Sequence, residues 1–212
     1  MSLKGKRILI TAGPTWIAID RVRVISNLAT GKTGFILADK FKKLGFKVTL
    51  LIGPVDFHSS LTGVRIIRFK YFTELAALLK KELSSKKYAA IIHAAAVADY
   101  RPREVVQRKF SSLRKCWRVN LVPTKKLVNR FKKYSGLFTV GFKFEPDADK
   151  NQLIKKGQKL LKSAALDLVV ANSNKKNTYR AYIMDKLNNN YGPFFNKIKM
   201  AGCLSKLTNK QL

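Results

Sequence analysis

A polar, glycine-containing segment between the first predicted strand and the first predicted helix is the part of the sequence best suited to chemistry. It contains Thr15, Ser26, Asn27, Thr30 and Gly31. Open α/β sheets bind ligands at the carboxyl ends of their strands, and the free N–H groups at a helix N-terminus favour an anion. The segment therefore predicts an anion-binding loop. An ordinary polar strand-to-helix loop, with Thr30 as the helix cap, explains the same residues equally well.

Two common phosphate-binding motifs do not fit this segment. A Walker A loop has a glycine five residues before the one in Gly31-Lys32-Thr33, but position 26 is Ser. A dinucleotide fingerprint needs several glycines in the turn after the first strand and an acid at the end of the second. The first turn reads Gly13-Pro14-Thr15 and the second strand ends in Ile52-Gly53, so neither condition is met. The sequence thus argues against a P-loop NTPase and a dinucleotide-dependent oxidoreductase.

Strand and helix patterns alternate along most of the chain. The predicted strands are continuously apolar, which is typical of a parallel sheet covered on both faces. We predict strands over 7–12, 47–52, 64–69, 89–95, 137–144 and 166–171, and helices over 34–44, 73–83 (with Thr73 as N-cap), 124–133, 149–164 and 199–207. Loops and an extended arm are predicted over 101–122, and an antiparallel pair over 179–184 and 191–195. The predicted fold class is α/β: a Rossmann-like, doubly wound, mainly parallel sheet with a small β arm and a C-terminal antiparallel pair.

The chain is strongly basic, with 43 Lys and Arg against 12 Asp and Glu in 212 residues and a formal net charge of +31. This balance favours polyanionic partners without distinguishing nucleic acid, a membrane surface and phosphorylated small molecules.

A hydrophobic content of 46% excludes a disordered chain, and the length fits one domain. No apolar run approaches the roughly 20 residues that cross a bilayer. Without a signal peptide or a CxxC pair (the cysteines are Cys116 and Cys203), a cytoplasmic protein is expected.

Several segments, taken in order, resemble one enzyme family. They are 10–15 (ITAGPT), 19–27 with its Ile-Asp, Val-Arg and Ile-Ser-Asn groups, 30–34, 48–55, 94–102 (AAAVADYRP), 140–142 (VGF) and 166–172 (LDLVVAN). This order resembles phosphopantothenate–cysteine ligase (phosphopantothenoylcysteine synthetase), the second activity of the bacterial bifunctional coenzyme A biosynthesis protein. The resemblance covers nearly the whole chain, and its most specific parts are the AAAVADYRP run and the series from GPT to ISN.

The resemblance implies a Rossmann-like fold, usually a homodimer, and a two-step reaction. CTP, or ATP in eukaryotic members, would activate the carboxylate of 4′-phosphopantothenate as an acyl-nucleotidyl intermediate and release pyrophosphate. L-Cysteine would then attack and release CMP. The bacterial-style segments favour CTP, with Mg²⁺. Residues 1–212 resemble a single ligase domain without the flavoprotein decarboxylase domain, so no FMN is expected, and the chain is either an excised domain or a standalone ligase. Membrane and nucleic acid are not expected partners.

The family's functional residues carry over position by position. Asn27 matches an asparagine that holds the acyl-nucleotide while cysteine attacks, Arg23 an arginine that clamps a phosphate or carboxylate, and Lys109 a nucleotide-binding lysine. These three are the implied catalytic residues. The implied substrate contacts are Asn27, Thr30 and Gly31, and the implied nucleotide contacts are Gly13, Ala94, Ala95, Asp99, Lys109, Pro123, Thr124, Lys125, Lys126, Phe142 and Lys159, with Lys162 as a further match. No metal ligand is assigned.

Each of these assignments has a plainer interpretation. Arg23 also fits a surface ion pair with Asp20, and Lys109 fits one more solvated lysine. A lone aromatic such as Phe142 is more often a core residue than a ligand contact. His93 ends a predicted strand and is interpreted as a core or strand-tip residue, not as a base.

Some positions depart from the family pattern. Trp16-Ile17 replace an Arg-Glu pair, Thr124 replaces an acid, and Phe110 follows Lys109 where the family has further lysines. Two alternatives to an active ligase therefore stay open. One is a degenerate ligase fold used as a binding module. The other is a nucleic-acid-binding protein, suggested by the charge, although RNP, KH and zinc motifs are missing and the lysines are not grouped in one stripe.

Overall fold

A computed structural model describes residues 5–56, 61–111, 113 and 115–212. The strands are β1 (Arg7–Ala12), β2 (Trp16–Ala18), β3 (Val24–Ser26), β4 (Lys47–Ile52), β5 (Arg65–Arg68), β6 (Tyr88–His93), β7 (Tyr100–Pro102), β8 (Leu121–Pro123), β9 (Phe138–Phe144), β10 (Leu168–Ser173), β11 (Arg180–Asp185) and β12 (Asn190–Phe194). The α-helices are α1 (Lys32–Lys43), α2 (Phe72–Ser84), α3 (Lys150–Ser163) and α4 (Lys197–Gln211), and 3₁₀ helices span Leu127–Lys133 and Lys175–Asn177.

Eight strands form one sheet in the order β12-β11-β10-β9-β6-β1-β4-β5. The six strands from β10 to β5 are parallel, and β11 and β12 add to them antiparallel. The chain thus builds outward from β1 in one direction, returns to place β6 on the other side of β1, and continues outward from there. This is the doubly wound order, with its switch point between β1 and β6. The predicted fold class is confirmed.

Helices cover both faces of the sheet, because successive side chains of a strand point to opposite faces. On one face Ile8 and Ile10 of β1 belong to a buried cluster with residues of α1 and α4, including Phe41 and Leu204. On the other face Leu9 of β1 belongs to a second cluster with residues of α2, α3 and the 3₁₀ helix Leu127–Lys133. Each fully buried aliphatic side chain of this kind contributes roughly 1.5–3 kcal/mol, so the two clusters fix the layers that carry the site.

Several predicted elements differ in detail from the structure. Thr73 is not the N-cap of α2: the helix begins one residue earlier after Tyr71, and the Glu74 carboxylate accepts the N–H groups of Lys70 (2.7 Å) and Tyr71 (3.3 Å). The helix predicted over 124–133 is a 3₁₀ helix that begins only at Leu127. Within the segment predicted as one polar loop, β2 pairs with β3 as a short antiparallel hairpin.

The predicted β arm is present and stands beside this hairpin. β7 and β8 pair antiparallel, and the N–H of Thr124 donates to the carbonyl of Asp99 (2.8 Å) at the base of the arm. The described residues between these strands, 103–111, 113 and 115–120, form no strand or helix, in agreement with the loops predicted over 101–122. Among the described residues, no helix has the length and apolar character needed to cross a membrane.

Candidate functional site at the switch point of the sheet

A cavity of about 1390 Å³ opens at the carboxyl ends of the parallel strands, at the switch point between β1 and β6. This is where open α/β sheets bind ligands. Most residues that the sequence singled out line this cavity: Gly13, Asn27, Thr30, Gly31, Ala94, Ala95, Asp99, Thr124, Lys125, Lys126, Phe142 and Lys159. Arg23, Lys109, Pro123 and Lys162 lie outside its lining. The fold therefore brings the loop candidates and the lysines of α3 to one cavity. It places Arg23 and Lys109, two of the three residues predicted to be catalytic, outside the lining of that cavity.

The segments that follow β1 and β6 are tied to each other by hydrogen bonds. The N–H of Ala96 donates to the carbonyl of Gly13 (2.9 Å), and the N–H of Thr15 donates to the carbonyl of Ala96 (3.3 Å). The hydroxyl of Thr15 accepts the N–H of Ala98 (2.9 Å), and Thr15 is fully buried. Thr15 therefore holds the two segments together and does not line the cavity.

Asn27 lies at the point where the β3–α1 segment meets the segment after β6. Its Nδ2 donates to the carbonyls of Ala96 (3.1 Å) and Val97 (3.2 Å). These bonds use both N–H groups of the amide, and among the described residues no donor reaches its Oδ1. Asn27 is exposed at the cavity, so this oxygen is available to a ligand.

The start of α1 depends on glycine. Gly31 occupies the N-cap position with φ 70°, a left-handed conformation that glycine adopts without strain. A Cβ atom there would also come within 3.0 Å of Ile52 Cδ1. The hydroxyl of Thr30 only accepts a long bond of 3.4 Å from the N–H of Lys32, so Thr30 does not cap the helix. Both residues line the cavity.

Positive charge dominates the cavity. Its lining contains two acids, Asp99 and Glu145, and seven lysines: Lys32, Lys125, Lys126, Lys143, Lys156, Lys159 and Lys197. Lys126 Nζ lies 2.5 Å from Asp99 Oδ1, and Glu145 pairs with Lys143 (2.9 Å) and Lys156. Burial raises the pKa of Glu145, but the two lysines outweigh it and the pKa falls below its ordinary value. Both acids are therefore neutralised locally, and the remaining lysines give the cavity an excess of positive charge that suits phosphorylated ligands.

Arg23 is engaged with Asp20 outside the cavity. Its Nη1 donates to Asp20 Oδ2 (2.6 Å) and to the carbonyl of Phe110 (3.2 Å), and its guanidinium lies 5.3 Å from the ring centroid of Trp117. The Phe110 and Trp117 rings stack at 4.1 Å. The geometry thus matches the plainer interpretation of Arg23, an ion pair, and extends it, because the pair anchors the arm that carries Lys109.

Asp20 is the centre of that anchor. Its buried carboxylate also accepts the N–H groups of Val22 (2.8 Å), Arg23 (2.7 Å) and Phe110 (3.1 Å). Burial alone would raise the pKa of Asp20, but these three N–H groups and the Arg23 charge lower it to about 2. Asp20 is therefore ionised at every physiological pH, and it joins the β2–β3 hairpin to the arm.

His93 is buried at the end of β6, as predicted, and its Nδ1 lies 2.8 Å from Thr11 Oγ1. Burial lowers the pKa of His93 to about 4, so the ring is neutral at pH 7. The same Thr11 hydroxyl accepts the N–H of Ala95 (3.3 Å). His93 lines the cavity, and through Thr11 it supports the segment that begins with Ala94.

Sequence reasoning missed several residues that line the cavity. Lys32 and Lys197 begin α1 and α4, and Tyr179 precedes β11. Lys143, Lys156, Ser163, Asn172 and Asn174 also contribute to the lining. Lys32 could have been found, because it lies in the Gly-Lys-Thr triplet at a helix start. Lys197 and Tyr179 carry no local signal, since they reach the cavity only through the packing of α4 and the antiparallel pair.

The fold and the site together define the class of the protein. It is a Rossmann-like α/β domain with a lysine-rich cavity at the switch point of its sheet. The chain belongs to the family described as the DNA/pantothenate metabolism flavoprotein C-terminal domain, whose family model matches residues 3–204. The family resemblance predicted from the sequence is confirmed.

Relatives and solved structures agree with this assignment. The chain is 36% identical over 173 residues to the coenzyme A biosynthesis bifunctional protein CoaBC of Thermococcus kodakarensis. This match covers 81% of the chain and 42% of that protein. It matches the crystal structure of the C-terminal domain of a CoaBC protein with a TM-score of 0.79 and 25% identity, over 99% of this chain and 97% of that one. The Cab2 mutant H337A in complex with phosphopantothenate-cysteine shares the fold, with a TM-score of 0.77 and 17% identity over 97% and 88% of the two chains. The chain spans about half the length, or less, of the curated relatives it matches.

Proposed function

We propose that this domain joins 4′-phosphopantothenate to L-cysteine through an acyl-nucleotidyl intermediate, as a step of coenzyme A biosynthesis. Family membership and the names of the relatives support the pathway. The observation that carries the proposal is the position of Asn27, which is hydrogen-bonded from the β3–α1 segment to the segment after β6 and has its Oδ1 available at a lysine-rich cavity. A nucleotide, a phosphorylated acid and an amine all have chemically suitable partners there.

The proposed reaction has two steps. A carboxylate oxygen of 4′-phosphopantothenate attacks the α-phosphorus of the nucleotide, the bond from that phosphorus to the bridging oxygen breaks, and pyrophosphate leaves. The cysteine amine then attacks the acyl carbon, the bond from that carbon to the phosphate oxygen breaks, CMP leaves, and the nitrogen loses a proton. Activation is needed because a carboxylate is a poor electrophile. The protein's part is to align the reactants and to balance developing negative charge with fixed cations and donors.

In this scheme Asn27 serves the second step. Its Nδ2 is held by two backbone carbonyls, so the orientation of the side chain is fixed before any ligand arrives. Its Oδ1 accepts an N–H of the incoming amine and keeps that nitrogen beside the acyl carbon. Alignment of this kind turns a bimolecular attack into an effectively intramolecular one. Thr30 and Gly31, on the same segment, contact the acyl substrate.

The nucleotide occupies the part of the cavity lined by Asp99, Thr124, Lys125, Lys126 and Lys159. The carboxylate of Asp99 accepts hydrogen bonds from nucleoside hydroxyl or amino groups, and the lysines balance the phosphates. The backbone at Gly13, Ala94, Ala95 and Pro123 shapes this part, and Phe142 packs beside the base. CTP is the proposed nucleotide, on the strength of the bacterial-style segments alone.

Mg²⁺ enters this scheme with the nucleotide rather than as a resident ion. Among the described residues, no group of three or more His, Cys, Asp and Glu side chains could hold a metal. The two acids of the cavity are already paired with lysines. Mg²⁺ commonly binds through substrate phosphates and few carboxylates, so a nucleotide-bound ion fits and a protein-held one does not.

We further propose a homodimer in which the β2–β3 hairpin and the arm contribute to the interface. Apolar side chains are exposed on these elements, notably Val22 (61% exposed), Ile25 (40% exposed) and Tyr100 (56% exposed). Exposed apolar side chains close together on a surface mark association sites. Lys109, carried by the same arm, contacts the nucleotide only if the arm bends toward a cavity.

The experiment is a reconstituted reaction. The purified chain is incubated with 4′-phosphopantothenate, L-cysteine, Mg²⁺ and either CTP or ATP, and pyrophosphate and 4′-phosphopantothenoylcysteine are quantified. We expect product only when all components are present, with faster turnover on CTP. Absence of product with both nucleotides would overturn the proposal. Tight, salt-dependent RNA binding in the same preparation would then favour the nucleic-acid alternative.

A further inference from the structure

A second, smaller cavity lies where β10 ends. Its volume is about 210 Å³, and it is lined by Ala148, Ser173, Lys175, Lys176, Thr178 and Arg180. Asn172 and Asn174, the neighbours of Ser173 in the chain, line the switch-point cavity instead. Among the described residues, none lines both cavities. The second cavity is therefore a separate feature of the molecule, beside the site described above.

Ser173 is the buried polar residue of the second cavity. Val169 and Ala171 of β10 belong to the buried cluster on the α3 face, so Ser173, two residues further on, has its side chain on that face as well. Ala148, another lining residue, belongs to the same cluster. Only 1% of Ser173 is exposed, and its hydroxyl makes no hydrogen bond within the part of the chain that the structure describes. Because buried hydroxyls in proteins are nearly always hydrogen-bonded, this one is a donor available to a ligand.

Arg180 lies directly opposite Ser173 in the antiparallel pairing of β10 with β11. Opposite residues of such a pair share a face of the sheet, so the two side chains lie on the same face. The guanidinium Cζ lies 5.8 Å from the centroid of the Phe195 ring, a contact that leaves the N–H groups unused. A guanidinium has paired donors that match the oxygens of a phosphate group.

The turn between β10 and β11 brings two more cations to the second cavity. Lys175 and Lys176 are exposed residues of the short 3₁₀ helix, and the N–H of Thr178 donates to the carbonyl of Lys175 (2.9 Å). The N–H of Asn174 donates to the carbonyl of Pro146 (3.2 Å), which ties the turn to the segment before α3. Backbone hydrogen bonds therefore hold the wall that carries the lysines.

The positive charge of the second cavity is not balanced by an acid among the described residues. Two acids directly precede α3, but neither lines the cavity, and the Asp149 carboxylate accepts the N–H of Gln152 (2.9 Å). Within the described ranges, no carboxylate lies within 4 Å of Lys175, Lys176 or Arg180. Three cations around one small cavity favour an anion there.

We propose that the second cavity binds a small tetrahedral oxoanion of the phosphate type, with Arg180 and the Ser173 hydroxyl as its main contacts. A volume of about 210 Å³ suits a single phosphate group. Arg180 supplies paired donors, Ser173 supplies a buried donor, and the two lysines of the turn balance the remaining charge. The site does not depend on the proposed function, since none of its residues has a role there. The shared chemistry is a phosphate group, either free or at the end of an ester.

The test is an NMR titration of the ¹⁵N-labelled chain with sodium phosphate, compared with sodium chloride at equal ionic strength. The amide signals of 173–180 and the Nε–H signal of Arg180 report the second cavity, and the amide signals of 30–32 report the switch-point cavity. We expect saturable shifts at 173–180 with phosphate and none with chloride. A parallel titration with glycerol 3-phosphate distinguishes the sources: tighter binding of the ester would identify the phosphorylated end of a larger molecule, and tighter binding of phosphate a free ion.

Variants assign the binding to named side chains. Arg180→Gln should weaken phosphate binding at 173–180 roughly tenfold to hundredfold, the range for a lost charge-assisted hydrogen bond, and Ser173→Ala roughly tenfold. Arg180→Lys keeps the charge without the paired donors and should fall between the wild type and Arg180→Gln. The matched control is Arg130→Gln, which removes an exposed charge outside both cavities and should bind like the wild type. The response of 30–32 should be the same in every variant.

Three results would overturn the proposal. Shifts that grow linearly with phosphate, or that chloride reproduces, would show an adventitious ion only. Unchanged affinity in Arg180→Gln would show that this side chain does not bind the anion. An equal loss in Arg130→Gln would show general attraction of anions to a basic chain. Circular dichroism spectra and urea midpoints matching the wild type exclude unfolding as the cause of any loss.

Discussion

Replacing Asn27 should separate the two steps of the proposed reaction. Asn27→Ala removes the two hydrogen bonds from Nδ2 to the carbonyls of Ala96 (3.1 Å) and Val97 (3.2 Å) as well as the acceptor Oδ1. Asn27→Asp keeps an acceptor but places a carboxylate oxygen against two carbonyl oxygens. The nucleotide contacts lie on other elements, so formation of the acyl-nucleotide should persist in both variants. Attack by cysteine should slow in both.

The magnitude follows from the two hydrogen bonds. Each is an exposed hydrogen bond between neutral groups and contributes about 0.5–1.5 kcal/mol, so together they stabilise the position of Asn27 by roughly 1–3 kcal/mol. Loss of that free energy at the second step corresponds to a slowing of roughly 5- to 150-fold. Asn27→Asp should be the slower variant, because repulsion replaces attraction at the same two carbonyls.

The assay is a single-turnover quench with CTP labelled at its α-phosphate, which resolves acyl-nucleotide from free CMP. The acyl-nucleotide should accumulate in the Asn27 variants and remain transient in the wild type. Asn151→Ala, an exposed asparagine on α3, is the matched control and should behave like the wild type. Product formed by Asn27→Ala at the wild-type rate would refute the role given to Asn27. An equal slowing of both steps would refute its restriction to the second.

Three further predictions concern the scaffold. In Gly34→Ala the new Cβ would meet Ala12 Cβ at 2.1 Å, so the free energy of unfolding measured with urea should fall by about 1–3 kcal/mol. Gly202→Ala, with open space around it, should gain up to about 1 kcal/mol, and equal free energies for the two variants would contradict this. The pKa of His93 is about 4 in the folded chain and near 6.5 in the unfolded chain, so the unfolded chain binds the extra proton. The free energy of unfolding should therefore fall by about 2 kcal/mol from pH 7 to pH 5 and level off below pH 4. His93→Asn should flatten this slope, and an unchanged slope in that variant would rule out His93 as its source. Asp20→Asn should loosen the arm and speed limited proteolysis within 103–120, and an unchanged cleavage rate would show that Asp20 does not anchor it.

The central strands could be predicted from the sequence almost to the residue. β1 and β4 are continuous apolar runs that end at Gly13 and Gly53, and the structure begins and ends them as predicted. A strand that is buried on both faces of the sheet has apolar residues at nearly every position, so such a run is visible in the sequence. The β2–β3 hairpin could not be predicted, because strands of three residues are too short to show a period and all three residues of β3 are exposed.

The site was predictable where its residues lie close together in the chain. Asn27, Thr30 and Gly31 share one segment, and Asp99 follows the fourth predicted strand, so a parallel sheet brings them to one edge. Contacts between distant residues could not be foreseen. Arg23 has its Phe110 partner 87 residues away, which no spacing rule reveals.

Lys197 illustrates the same limit. It reaches the cavity only through the packing of α4, and alone it looks like a solvated lysine in a lysine-rich chain. The net charge of +31 therefore could not identify which cations serve the site. That information comes from the few lysines that the fold turns toward one cavity.

The most direct test of the proposed chemistry follows oxygen. The chain is supplied with L-cysteine, CTP, Mg²⁺ and 4′-phosphopantothenate labelled with ¹⁸O in both carboxylate oxygens, and the products are analysed by ³¹P NMR and mass spectrometry. The proposed reaction leaves one ¹⁸O in the phosphate of CMP and the other in the amide carbonyl of the product. Label in inorganic phosphate or pyrophosphate, or product with unlabelled CMP, would contradict it.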